Sequence, residues 1–166
     1  MVTIVEIQTA YYMVAATGVL AAAIYYILNL RYNKKAREME VCYMFMHDHT
    51  SEQGIAKFAT IMSMEWKDHD DFMKKYGYSN PEMMGKWVSY LFAMEGMGII
   101  VKGGVADVEK LYDLGMFSSI AVWDKFKDII MNRRESWGHD YLSNAEYVFG
   151  ELDKVRARHN SVTNKK

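Results

Sequence analysis

Residues Ile7–Leu30 read IQTAYYMVAATGVLAAAIYYILNL, 24 residues without a charge. As a helix rising about 1.5 Å per residue, the stretch is long enough to cross a hydrocarbon layer of about 30 Å. Tyr11 and Tyr12 stand near one end, and Tyr25 and Tyr26 near the other. Aromatic rings of this kind suit the two membrane–water interfaces. A cleaved signal peptide would need a positive leading segment, yet the only charge before Arg31 is Glu6. The reading is therefore a transmembrane anchor, taken with its basic flank as residues 1–37.

The flanks orient it. Arg31, Lys34, Lys35 and Arg37 follow the span, and no Lys or Arg precedes it. The positive-inside rule puts the N-terminus outside and the rest of the chain in the cytoplasm. The single Cys42 fits a reducing compartment, and no Asn-x-Ser/Thr acceptor occurs. The centre of the span is smooth. Ala15, Gly18 and Ala22 recur at helical spacing, and small residues let another helix approach closely. These three form the candidate helix-packing face, and the four basic residues form the membrane-flanking set.

After the span, the expected elements are helices. Val41–Met46 is an apolar run that could also be a strand, but little else in the chain could pair with it. Thr50 and Gln53 have capping-box spacing, with Ile55, Phe58, Ala59, Met62 and Trp66 as the inward face that follows. Asp68 caps a short helix carrying Phe72. Ser79-Asn80-Pro81-Glu82 starts a long helix that places Met84, Trp87, Val88, Leu91, Glu95 and Gly98 near one side and ends at Gly103-Gly104. Further helices are expected over Ala106–Leu114, Met116–Arg134, where Ile120, Trp123, Phe126 and Ile130 face inward, and Asn144–Arg158. The expected fold is all-α: one transmembrane helix, a compact helical domain of five to seven helices over residues 38–159, and a frayed polar tail over 160–166.

Composition excludes several functions. Twenty Lys+Arg against 21 Asp+Glu leave a net charge of −1, without the basic excess of a nucleic-acid binder. One cysteine rules out an internal disulfide framework. His47-Asp48-His49 places two imidazoles two residues apart, which on a helix point in different directions. Asp68-His69-Asp70-Asp71 lacks the glycine and terminal glutamate of a calcium loop. No Walker loop, nucleophile elbow or zinc-protease motif is present. Thioethers suit Cu(I), but the 14 methionines interleave with Phe, Trp and Ile, so packing is preferred to copper handling. The expectation is a non-enzyme with no cofactor and no metal site. Its expected partners are integral membrane subunits and membrane lipid.

A resemblance adds to this. Ala10–Leu20 looks like the anchor of short single-pass proteins of ammonia-oxidising archaea. The remainder resembles an all-helical domain of unknown function. The matching features are Trp66-Lys67-Asp68, Asp71-Phe72, Lys75-Tyr76, Asn80-Pro81, Glu95-Gly96-x-Gly98, Gly103-Gly104, Leu111-Tyr112-Asp113 and Trp123-x-x-Phe126 with Ile129-Ile130 and Arg133. The resemblance carries no catalytic residue. It implies an accessory or scaffolding subunit of a membrane complex, with the archaeal ammonia monooxygenase as one candidate. The rival expectation is a membrane-tethered sensor whose domain binds a soluble partner or a ligand.

Overall fold

The computed structural model describes residues 3–163, with the side chains of 162 and 163 excepted. Among them every regular element is helical. The order is α1 (Ile4–Thr50), α2 (Glu52–Ser63), α3 (His69–Tyr76), α4 (Pro81–Lys102), α5 (Val108–Asp113), a 3-10 turn (Met116–Ser118), α6 (Ser119–Trp137) and α7 (Ser143–Thr163). The chain separates into two compact units, divided between Glu38 and Met39.

In the first unit, α1 is exposed on every side from Ile4 to Arg37. Among the described residues it is the one helix long and apolar enough to cross a membrane. The last turns of α1 belong to the second unit, and the run Val41–Met46 is helical, as expected. Cys42 is buried there, and Val41 and Phe45 pack against the core.

The second unit is built around α4. Asn80 caps it, Oδ1 accepting from the Met83 amide at 3.3 Å, and Pro81 occupies the first turn. Trp87, Tyr90, Leu91, Met94, Met97 and Gly98 are all buried, so α4 is covered over a wide arc. The expected stripe included Trp87, Leu91 and Gly98 but missed Tyr90, Met94 and Met97. Phe72, Trp87 and Phe126 meet at the centre, with ring centroids 5.2–6.0 Å apart, and Trp66 closes the cluster 5.0 Å from Phe72. Such edge-to-face and offset pairs fix side-chain orientation as well as burying area.

α4 and α7 approach most closely at Gly98. A Cβ there would lie 1.9 Å from the Asn144 carbonyl oxygen. The Glu95 carboxylate, one turn away, accepts from Asn144 Nδ2 and from the Ala145 amide, both at 2.7 Å. It thereby satisfies one of the backbone donors that the start of α7 leaves open. Glu95-Gly96-x-Gly98 is thus a joint between helices: an acid to cap α7 and a glycine to let it close.

Local chemistry shifts several boundaries. The cap of α2 is Ser51, whose Oγ accepts from the Gly54 amide at 3.0 Å. Thr50 still belongs to α1 and donates its hydroxyl to the Met46 carbonyl. The inward residues of α2 are Phe58, Ile61 and Met62, while Ile55 and Ala59 are exposed. Asp107 caps α5, so that helix starts two residues after Ala106. Gly115 (φ +100) forces a break, which makes Met116–Ser118 a 3-10 turn and starts α6 at Ser119. Trp123 is only half-buried, stacked on Phe149 at 5.2 Å, whereas Phe126 is fully buried. α7 runs to Thr163, so residues 160–163 of the expected polar tail continue the helix; 164–166 lie outside the described residues.

Candidate functional site

On α1 the sequence-derived sites all face outward. Ala15, Gly18 and Ala22 are exposed and follow one another at i, i+3 and i+7, one side of a helix. A Cβ built on Gly18 meets nothing within 4 Å, so no part of this chain fills the space it leaves. Arg31, Lys34, Lys35 and Arg37 are exposed in the turns just after Leu30.

In the helical domain the candidate metal ligands do not converge. His47 is exposed beside the Tyr43 ring, while His49 turns inward. Asp68 caps α3, and Asp71 pairs with Lys75 at 2.8 Å and accepts from the Lys67 amide. Among the described residues, no group of three His, Cys, Asp or Glu side chains gathers. Met64, Met94, Met97 and Met116 are buried in the core, while Met44 is exposed.

The domain holds a cavity of about 170 Å³ for which no motif in the chain is a signal. Cys42, Phe45 and His49 of α1 form one wall, and Ile55 and Phe58 of α2 another. Tyr90, Leu111 and the turn from Leu114 to Ser119 complete it. No charged side chain lines it. The His49 ring stacks on Phe45 with centroids 3.8 Å apart and lies 5.5 Å from the Tyr90 ring. Its Nδ1 is 3.2 Å from the Phe45 carbonyl oxygen, which can only accept, so Nδ1 carries the proton. Nε2 is then an acceptor, and it has no protein partner. Burial holds the His49 pKa below the usual imidazole value, against the pull of its Phe45 hydrogen bond. The Tyr90 hydroxyl donates to Ser119 Oγ at 2.8 Å, and burial pushes its pKa up to about 12. Both groups are uncharged at neutral pH. The sequence sets His47 and His49 on different sides of a helix and expects no shared metal there. It could not see His49 as a wall residue, because the wall is assembled from five separate elements.

A second unusual group is Arg133, only 4% exposed. Its guanidinium lies 5.2 Å from the Trp87 ring centre and 5.1 Å from that of Trp137. Nη2 donates to Met73 Sδ at 3.0 Å, and burial raises the pKa of the nearby Tyr141 against the pull of the Arg133 charge. Among the described residues no carboxylate pairs with it.

Residues 12–151 match the family described as a domain of unknown function, DUF4760. The chain belongs to this family. The match takes in most of the long apolar stretch of α1 and nearly all of the helical domain. No curated protein and no solved structure matches the chain.

Proposed function

We propose that this DUF4760 protein is a non-catalytic, single-pass subunit of an integral membrane complex. In this reading α1 docks its Ala15–Gly18–Ala22 face on a partner helix, and the helical domain lies on the cytoplasmic side. The observation that supports it best is the bare span: 24 uncharged residues, each exposed, with open space at Gly18. Lipid tails cover such a helix without need of a smooth face, whereas close packing of helices uses one. The basic residues after Leu30 favour the orientation. The resemblance to archaeal single-pass proteins makes the ammonia monooxygenase the first partner to test. Native mass spectrometry of membranes solubilised in mild detergent should find the chain at fixed stoichiometry with larger integral subunits. Recovery of the chain alone under conditions that keep other complexes intact would refute the subunit role.

A second reading, a membrane-tethered sensor, is favoured by the uncharged cavity. Its walls include the last turns of the same helix that carries the span.

A further inference from the structure

We propose that the cavity enclosed by the end of α1, α2, α4 and the turn before α6 is a binding site for a small, uncharged, single-ring hydrocarbon. Benzene is the simplest member of the class. The juxtaposition that carries the site is an apolar space with Phe45, Phe58, Tyr90, Met46 and Met116 on its walls and no charged side chain among them.

Size and enclosure come first. The space is about 170 Å³, and an apolar cavity of about 150 Å³ stays dry and admits benzene. Its depth is protein interior: Cys42, Leu111 and Ser119 are at most 1% exposed, and Tyr90 and Met116 4%. The exposed lining residues are Thr50, Ile55, Leu114 and Ser118, which form the rim where a guest enters. A void of this size left empty weakens a core, because its lining loses contacts on one side. A guest that fills it restores those contacts.

The chemistry of the walls selects the guest. Phe58 and Tyr90 stand with ring centroids 6.4 Å apart, and aromatic surroundings of this kind favour a ring through offset and edge-on contacts. The thioethers of Met46 and Met116 add soft, adaptable contacts to a ring edge. Polar groups on the walls are engaged within the protein. Thr50 Oγ1 donates to the Met46 carbonyl, Ser118 Oγ to the Gly115 carbonyl, and the Tyr90 hydroxyl to Ser119 Oγ. His49 Nδ1–H is directed at the Phe45 carbonyl, and Nε2 is buried, so the imidazole offers a guest no exposed acceptor. Water needs two or more polar partners to settle in such a space. A charged guest would lose its hydration and meet no counter-charge, since no Asp, Glu, Lys or Arg lines the cavity. An uncharged hydrocarbon gives up nothing on entry.

The test uses the full chain in lipid nanodiscs with carbon-13 in its methionine methyl groups. Met46 and Met116 line the cavity, Met44 is exposed on the last turns of α1, and Met13 is exposed on the apolar span. Replacing each of the four by leucine in turn assigns its signal. Benzene is titrated, and its ring current reports contact with each methyl. The Met46 and Met116 signals should shift and saturate, with a Kd on the order of 1 mM in aqueous benzene, as suits a ligand of about six heavy atoms. Met44 should stay still, and Met13 should follow benzene dissolved in lipid, without saturation. Benzoate at the same concentrations should move neither cavity methyl. Cys42→Phe places a ring in the space and should abolish the Met46 and Met116 responses while leaving that of Met13, with circular dichroism confirming the fold. Ile55→Trp, at the exposed rim, serves if that variant does not accumulate, and should weaken binding at least tenfold. The proposal is overturned by cavity methyls that fail to saturate, by an equal response to benzoate, or by a response that survives unchanged in the folded variant. None of these outcomes depends on whether α1 docks on a partner.

Discussion

A buried arginine without a carboxylate is tolerable only if its charge finds other company. Arg133 lies between the faces of Trp87 and Trp137, with Tyr78 6.0 Å away. Each such contact contributes about 0.5–2 kcal/mol when desolvated. The planar guanidinium is weakly hydrated and stacks well; an ammonium is a compact, strongly hydrated charge that does neither. Arg133→Lys should therefore be more destabilising than Arg133→Met, although only the former keeps the charge. Thermal melts of the two variants check this, and a lysine variant as stable as the wild type would remove the stacking argument. His49 gives a pH-dependent counterpart. The neighbouring Asp48 and Lys57 pull its pKa in opposite directions, and burial beside Tyr90 prevails, so the folded pKa lies below the unfolded one. The unfolded chain then binds the proton more readily. Stability is complete above the unfolded pKa of about 6.5 and declines as pH falls from there through the folded value. The melting temperature should drop between pH 7.5 and 5.5, and the drop should shrink in His49→Phe. Neither role was legible in the sequence. Arg133 reads as an ordinary helix-surface charge until Trp87, 46 positions earlier in the chain, is brought onto its face.

Helix ends and helix crossings are where short-range sequence signals were most and least informative. Asp68, Asn80-Pro81 and Gly103-Gly104 punctuate the chain where local chemistry says they should, because a cap needs only a neighbour three residues away. Ser51 displaced Thr50 because α1 continues through Thr50, which only the packing of its last turns decides. Crossings depend on partners remote in sequence. Gly98 was placed correctly on the inward side of α4, but its role required α7, 46 residues on. Gly98→Ala puts a methyl group against the Asn144 backbone, which cannot rotate away as a side chain could. Overpacking of this kind costs about 1–3 kcal/mol, so a clear fall in melting temperature is expected. Glu95→Ala leaves the Ala145 amide and Asn144 without their acceptor and should cost about 0.5–2 kcal/mol, the usual range for a lost cap. Gly18→Leu is the control at the same scale. Its new side chain meets open space, so the melt should not change, while co-purification with partner subunits should fall. Loss of stability in Gly18→Leu, or none in Gly98→Ala, would reverse the assignment of the two glycines.

At the scale of the molecule, the all-helical class and the apolar span were legible because both rest on composition and period over many residues. The sequence starts the helical domain at residue 38 but does not say which of the side chains that follow join its core, since Val41–Met46 is apolar throughout. Packing answers it. Cys42 is 1% exposed, and Val41, Phe45 and His49 are half-buried against residues that follow them in the chain. Fully burying one large apolar side chain is worth roughly 1.5–3 kcal/mol. Four side chains, mostly half-buried, then amount to about 4–6 kcal/mol, a large part of the roughly 5–15 kcal/mol by which a domain is stable. Removing them also opens the cavity wall and exposes Phe58 and Leu111. A fragment of residues 39–166 should therefore melt cooperatively without detergent, and a fragment of residues 51–166 should melt much lower or bind a hydrophobic dye without a transition. Far-ultraviolet circular dichroism of the two fragments decides between the possibilities. Equal melting temperatures would mean that the last turns of α1 are an attached rod, and that the domain completes its core without them.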